Sequence, residues 1–376
     1  MSDHAPSPRL AILGGGQLGR MMAFDAHRLD IAPIVVAPQE AAPGFAAAKP
    51  IPLDFDDAAL GARLEAEADV LTYEVEHLPV EAVRALGERV PLRPGIRSLE
   101  ITGDRLLEKQ FIASCGLPLA PFAPVDGPED VDAALAVTGL PAILKTRRHG
   151  YDGKGQRRVS TREEAEAAAR ELAVPSVLEG FVTFERELSV VAVRGLDGEV
   201  RSWPLAENTH RDGILHVSVA PAPGTDGALH ARAEAKAKRL MEELDHVGVL
   251  TVELFDTGEQ LLLNEIAPRV HNSGHWTLEG AVTSQFENHV RAVCGLPLGD
   301  TAARGASVMI NLLGELPPRE ALLAVPGLHL HLYGKAPRPG RKLGHATLCA
   351  DDMGGLREAA ARLPEALRAP TLAALA

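Results

Sequence analysis

The sequence predicts an α/β protein of three lobes: an N-terminal parallel α/β lobe, a larger central lobe and a small C-terminal α+β lobe. Three observations carry this expectation. Strands and helices alternate over roughly the first 95 residues, the pattern of a small parallel sheet. The chain of 376 residues is long enough for two or three domains with substantial cores. Its last part reads as short strands (SVMINLLG, HLHLYGK, ATLCA) with two helical segments. The divisions fall near residues 100 and 300, giving lobes over 1–100, 101–300 and 301–376.

Residues 9–13 (RLAIL) form the first strand, and GGGQLGR turns into a helix in which Leu18, Met21, Met22, Ala26 and Leu29 recur at helical spacing. IAPIVVA (31–37) and ADVLTYE (68–74) are further strands, and LPVEAVRALG (78–87) is a helix closed by Gly87. The central lobe opens on the helix DRLLEKQFIASCG (104–116), stopped by Gly116 and Pro118. PAILKT (141–146) is an apolar strand bearing Lys145. A helix starts at Ser160, with Glu163 three residues on as a capping box. Residues 176–195 and 199–221 are strands, and 228–245 is a helix. The helix at 279–294 buries Val282, Phe286, Val290 and Val293 and ends at Gly295.

Hydrophobic residues make up 46% of the chain and charged residues 24%, ordinary for a globular protein. The 35 glycines and 28 prolines imply many tight turns. A net charge of −13 argues against a nucleic-acid partner, which would call for a basic face. It leaves room for small anionic substrates in a local basic pocket. Cys115, Cys294 and Cys349 are far apart and no CxxC occurs, so they are expected to be buried free thiols. MSDHAPSPRL lacks a signal pattern and no apolar run nears 18 residues, so the expectation is a cytoplasmic protein with no membrane partner.

Four stretches carry candidate chemistry. Gly14, Gly16 and Gly19 satisfy G-x-G-x-x-G between a strand and a helix. The second strand ends in Val36-Ala37-Pro38, without the acid that would hold a dinucleotide ribose, so the loop is read as cradling another ligand's phosphate or as a tight turn. Lys145 precedes Arg147-Arg148-His149-Gly150-Tyr151-Asp152-Gly153-Lys154-Gly155-Gln156, where amides and cations could close over a polyphosphate. A flexible solvated loop is the alternative. Glu179 and Glu187 flank GFVTFERE, whose amides at Phe181 and Val182 could read an adenine edge; from these residues alone a salt-bridged surface hairpin is the better reading. His271 and His275 are four apart, but HNSGH with Gly274 between them does not make a zinc-binding helix face.

The fourth stretch is 250–277, LTVELFDTGEQLLLNEIAPRVHNSGHWT. Two apolar runs flank the turn DTGE, a β-hairpin with Gly258 at the tight position. Each strand carries a carboxylate, Glu253 and Glu265, which buried strands avoid without reason. A three-residue loop (Thr257 to Glu259) sets Glu253 against residue 263, with Glu265 its diagonal neighbour roughly 7–8 Å away. A loop one residue shorter or longer puts Asn264 there instead. The spacing suits hard cations such as Mg²⁺.

In this order the pieces resemble an ATP-grasp enzyme. The segments ILGGGQLGRM, TYEVEHL, DRLLEKQFI, LKTRRHGYDGKGQ, LEGFVTFERELSVV, NEIAPRVHNSGHWT and HLYGKAPRPGRKLGH resemble the N5-carboxyaminoimidazole ribonucleotide synthetase family of purine biosynthesis, over residues 12 to 345. The resemblance implies a three-lobed ATP-grasp architecture and an ATP-dependent C–N ligase using ATP, bicarbonate and aminoimidazole ribonucleotide, with two Mg²⁺ ions and a homodimer. It implies ATP contacts at Arg105, Lys145, Gly150, Tyr151, Asp152, Gly153, Lys154, Gly155, Gln156, Glu179, Gly180, Phe181, Val182, Glu187, His210, Asn264 and Glu265. It implies Mg²⁺ at Glu253 and Glu265, and the ribonucleotide near Gln17, Glu74, Tyr151 and Asp152, with Lys335 and Arg341 at its 5′-phosphate. Arg269, His271 and Asn272 are implied to act on bicarbonate. Another ATP-grasp ligase, a formate-dependent transformylase, an NAD(P) oxidoreductase and a nucleotide sensor are the alternatives.

Overall fold

The computed structural model describes residues 7–150 and 153–376. The N-terminal lobe holds β1 (Arg9–Leu13), β2 (Ala32–Val36), β3 (Lys49–Ile51) and β4 (Val70–Tyr73) in a parallel sheet of order β3-β2-β1-β4. Both faces are covered. Leu10 and Ile12 pack against the helix Gln17–Arg28, while Ala11 and Leu13 pack with Leu60, Leu64 and Val83 of the helices opposite. That is why these strands read as unbroken apolar runs. The short strand β3 (Lys-Pro-Ile) escaped the sequence reading because only Ile51 of its three residues is buried.

A second, antiparallel sheet contains β5 (Phe122–Val125), β6 (Ala142–Thr146), β7 (Gln156–Val159) and β8 (Ser176–Gly180), in order β5-β8-β6-β7. Helices Val131–Thr138 and Arg162–Leu172 pack on it through Val131, Ala134, Ala165 and Ala168. The second of these helices starts one residue later than expected. Thr161, not Ser160, accepts the Glu164 amide at 3.2 Å, and the Glu164 carboxylate, not that of Glu163, reaches back to the Ser160 N–H at 2.7 Å.

The third sheet contains β9 (Arg186–Arg194), β10 (Val200–Ser202), β11 (Ala206–Arg211), β12 (Ile214–Ala220), β13 (Gly248–Asp256), β14 (Leu261–Ala267), β15 (Ala306–Leu313), β16 (Leu328–Leu332) and β17 (Lys342–Ala350). Its order is β14-β13-β9-β11-β12-β15-β17-β16, with β10 paired to β9. The C-terminal strands therefore extend the central sheet through the β12–β15 pair. The helix Gly227–Leu244 buries Leu229, Ala233, Ala237 and Leu240 against one face. The helix expected over 279–294 is broken into Thr277–Gly280 and Gln285–Val293. Between them Ala281 pairs with Ala303, the Val282 amide donates to Ala302 O at 2.9 Å, and Ser284 caps the second piece. Phe286, Val290 and Val293 are buried, but Val282 is 45% exposed. The three cysteines are free but half-buried rather than enclosed. Among the described residues, no helix is long and apolar enough to cross a membrane.

Two buried histidines tie the N-terminal lobe to the third sheet. The Val249 N–H donates to His289 Nδ1 at 3.0 Å, which leaves the proton on Nε2, 2.8 Å from Thr72 Oγ1 on β4. His246 links Ser98 (3.0 Å) to the Val249 carbonyl (3.0 Å). Burial lowers His289 to about 3 and His246 to about 4, from an ordinary 6.5. The unfolded chain therefore takes these protons first. The stability they contribute is intact above pH 6.5 and is lost as the pH falls toward 4. Each adds a slope of about 1.4 kcal/mol per pH unit in that window. Thermal unfolding scanned from pH 7.5 to 5 should show a falling Tm, and His289→Gln should flatten the slope. An unchanged slope would show that this bridge does not titrate.

Candidate active site

The three sheets border one cavity of about 410 Å³. It is lined by Gln17 and Glu74 from the first lobe, and by Lys145, Gly150, Gly153 and Gln156 around the second sheet. Arg105, Glu187, His210, Glu253, Asn264, Glu265, Arg269, His271 and Asn272 line it as well. Glu179 lies buried behind Lys145, and Gly180, Phe181 and Val182 lead outward from it. Lys154, Lys335 and Arg341 line a second cavity of about 360 Å³, which shares Gln17 and Lys342 with the first. Tyr151 and Asp152 lie outside the described residues. Gly155 turns the loop back into β7 at φ +71°, with its carbonyl accepting the Thr146 amide at 2.8 Å.

The carboxylate pair is closer than the sequence suggested. Gly258 does take the tight position, at φ +80°. The hairpin loop, however, is one residue longer than supposed: Asp256 pairs with Leu261 and Leu254 with Leu263. A regular ladder would then oppose Glu253 with Asn264. A bulge intervenes, and Glu253 pairs directly with Glu265. Two residues on the bulged strand now occupy the span of one, so Asn264 and Glu265 both line the cavity, between buried Leu263 and Ile266. Burial and the facing Glu265 push the Glu253 carboxyl up to about 7. Burial also disfavours ionised Glu265, but the Arg105 guanidinium, 2.9 Å away, outweighs this and holds it below the usual range.

Around the pair, each buried charge has an opposite. Burial would raise Glu179, yet the ammoniums of Lys109 and Lys145, both 3.0 Å from it, bring it down to about 2. Arg269 Nε donates to Glu76 at 2.5 Å and overcomes burial there too, holding Glu76 at about 2. His210 Nδ1 sits 2.9 Å from Glu187; burial lowers the imidazole, but this carboxylate raises it beyond its ordinary value. The Ser273 N–H donates to His271 Nδ1 at 3.3 Å, so the neutral ring keeps its proton on Nε2, 3.6 Å from Glu253. Burial lowers His271 to about 3. Among the described residues, both polar side-chain atoms of Asn272 are buried without a hydrogen-bond partner.

Two expectations need correction. The glycine loop is not an open phosphate cradle, because Glu74 from the end of β4 accepts the Gly16 and Gly19 amides. A Cβ at Gly14 or Gly16 would come within 2.5 or 2.7 Å of that side chain, so the fingerprint there makes room for a carboxylate. The Phe181 amide donates to Pro141 O at 3.0 Å and so cannot also read an adenine edge. The sequence reading missed Glu76, Glu108, Lys109, Arg338 and Lys342. Of these, Glu76 had a visible sign, as the second acid in TYEVEHL.

Comparison with known proteins decides the family. Residues 8–103 match the ribonucleotide synthetase preATP-grasp domain, residues 110–286 the ATP-grasp domain, and residues 307–359 the phosphoribosylaminoimidazole carboxylase C-terminal domain. The chain is 48% identical to N5-carboxyaminoimidazole ribonucleotide synthase of Pseudomonas aeruginosa, over 91% of this chain and 95% of the relative. The chain belongs to the N5-carboxyaminoimidazole ribonucleotide synthase family. The crystal structure of the Thermus thermophilus synthetase superposes with a TM-score of 0.91 at 52% identity, covering 96% of this chain and 98% of that one. The Aspergillus clavatus synthase in complex with ADP and 5-aminoimidazole ribonucleotide gives a TM-score of 0.86 at 28% identity, covering 98% and 99%. For this synthase family the fold is an ATP-grasp domain between a preATP-grasp domain and a small C-terminal domain, the three-lobed α/β arrangement read from the sequence.

Proposed function

We propose that the protein carboxylates the exocyclic amine of 5-aminoimidazole ribonucleotide, using bicarbonate and ATP and releasing ADP and phosphate. One observation carries the reading beyond family membership. The cleft with the facing carboxylates shares Gln17 and Lys342 with a neighbouring cavity lined by Lys154, Lys335, Arg338, Arg341 and Lys342 and, among the described residues, by no acid. In a chain of net charge −13, such a concentration of cations suits a phosphate monoester. Lys335 also donates to Gln17 Oε1, joining the C-terminal domain to the end of the glycine loop.

ATP would lie along Lys145, Glu179, Glu187 and His210, with its phosphates toward Arg105 and the loop Gly150 to Gln156. The facing carboxylates fit Mg²⁺: they are hard oxygen donors, and the raised Glu253 shows a concentration of negative charge that a cation would relieve. Glu253 and Glu265 would hold it, with Asn264 beside them, and when bound it would offset the phosphate charge. Lys145 and Arg105 add fixed positive charge, the main demand of phosphoryl transfer. Arg269 presents its guanidinium to bicarbonate, and the unpartnered amide of Asn272 supplies both a donor and an acceptor. His271, with its proton on Nε2, orients as a donor. Bicarbonate attacks the γ-phosphate and expels ADP; the resulting carboxyphosphate, from which water must be kept, delivers its carboxyl group to the amine and releases phosphate. The reading extends to a cytoplasmic homodimer.

The test is ADP release with ATP, Mg²⁺, bicarbonate and aminoimidazole ribonucleotide, each omitted in turn. Full turnover should require all four. Equal turnover with formate and glycinamide ribonucleotide would replace this reading with a transformylase.

A further inference from the structure

We infer that Glu108 and Lys109, neither of which lines the main cleft, set the spacing of the carboxylate pair by gripping β14 from its open edge. The inference rests on the proposed metal role of Glu253 and Glu265. It concerns how the chain holds them in register.

Strand β14 is the outermost strand of the third sheet, so among the described residues its outer edge meets no further strand, only the single bridge of Leu119 to Leu263. In an unbroken strand, successive amides point to opposite edges, and outward N–H groups recur every second residue. Here the outward amides are those of Leu263, which donates to Pro118 O at 2.8 Å, and Ile266, which donates to the Glu108 carboxylate. They are three residues apart. The phase has slipped by one, and the extra residue is Asn264 at the bulge. The carbonyl of Asn264 itself accepts from Lys109 Nζ at 3.2 Å. Three consecutive handholds on the outer edge thus come from one segment, the helix Arg105–Ser114 and the turn after it.

The burial of the two side chains calls for such a role. Glu108 is 2% and Lys109 1% exposed, and charged side chains are almost never buried so far unless paired. A hairpin of this loop length left to itself would run in regular register, with Asn264 opposite Glu253. Glu108 accepts the one amide that points outward only when the bulge is present, and Lys109 takes the bulged carbonyl. Together they favour the register in which Asn264 and Glu265 both face the cleft. Lys109 also reaches Glu179 at 3.0 Å, so the same side chain ties the carboxylate strand to β8. These are positioning residues.

The experiment is calorimetric titration of ADP in Mg²⁺ and again in EDTA, on the full chain. Glu108→Gln keeps an acceptor for Ile266; Glu108→Met keeps the length and removes it. The Met variant should raise the Kd for ADP in Mg²⁺ by about tenfold or more and change the Kd in EDTA by less than about twofold, with the Gln variant near wild type in both. Equal losses in Mg²⁺ and EDTA, or none, would overturn the inference. If Glu108→Met does not fold, Lys109→Met carries the test. It should weaken ADP in EDTA through Glu179 and weaken it further in Mg²⁺, and a loss no greater in Mg²⁺ than in EDTA overturns the inference. Wild-type protein that binds ADP identically in both conditions would remove the metal reading itself, a failure distinct from the first.

Discussion

Glu265→Gln should reduce kcat by about a thousandfold or more and leave a folded protein. The substitution preserves shape and removes one charge. That charge is present in the native site, because Arg105 holds the carboxyl ionised against the cost of burial. After burial, it is also the next largest cause of the rise of Glu253 toward neutral pH, so the variant's remaining carboxyl should ionise more readily. A single carboxylate beside an unpaired Arg105 is a poor seat for a divalent cation, since the guanidinium repels it. The measurement is kcat with Mg²⁺ varied, alongside Tm. Unchanged activity would remove Glu265 from the site. A lower Tm with unchanged kcat would leave the residue as the buried partner of Arg105 and nothing more.

Arg269→Lys should cost about a hundredfold in kcat while changing the Kd for ATP by less than about threefold. Arg269 already spends Nε on Glu76 and one terminal nitrogen on the Val270 carbonyl at 3.1 Å, so its plane is fixed before any substrate arrives. In the proposed reaction the donors that remain would meet two oxygens of bicarbonate or of the carboxyl group being transferred. A lysine ammonium could keep Glu76 ionised, but it could not serve both partners in one plane. The contact should tighten as charge develops, which places the loss in turnover. Weakened ATP binding with unchanged kcat would make Arg269 an affinity residue or a structural partner of Glu76, and the bicarbonate assignment would fall.

Many of the residues that line the cleft were legible in the sequence, but Glu76 and Lys342 were not, nor was the geometry that brings them together. The β1–β2–β4 sheet and the long helices were legible because their periods are set by burial over many residues. The hairpin of Glu253 and Glu265 was legible as a hairpin, from DTGE between apolar runs. Its register was not, because two one-residue features, a longer loop and a bulge at Asn264, add to a two-residue shift that keeps Glu265 on the same face, moves it from diagonal to directly opposite Glu253, and leaves no local mark. The glycine loop misled for a related reason. Glycines that make room for a carboxylate and glycines that make room for a phosphate have the same spacing, and only the distant Glu74 distinguishes them. Glu108 and Lys109 read as ordinary polar positions of an amphipathic helix, since their partners lie more than 150 residues further on. The break at Val282 was hidden by apolar residues that continue at helical spacing across it, where pairing with 302–303 diverts the backbone.

The β12–β15 pair has a bearing on how the chain can be cut. Sequence boundaries invite a fragment ending near residue 300, retaining the whole ATP-grasp region. In that fragment β12 would lose the partner that takes its Val217 to Ala220 backbone groups, and Val217 and Val219 would lose the cover of Val308 and Ile310. The result is a bare, β-branched edge of the kind that recruits strands from other molecules. Such a truncation should be recovered from expression as aggregate, while a fragment that keeps β15 and β17 should stay in solution.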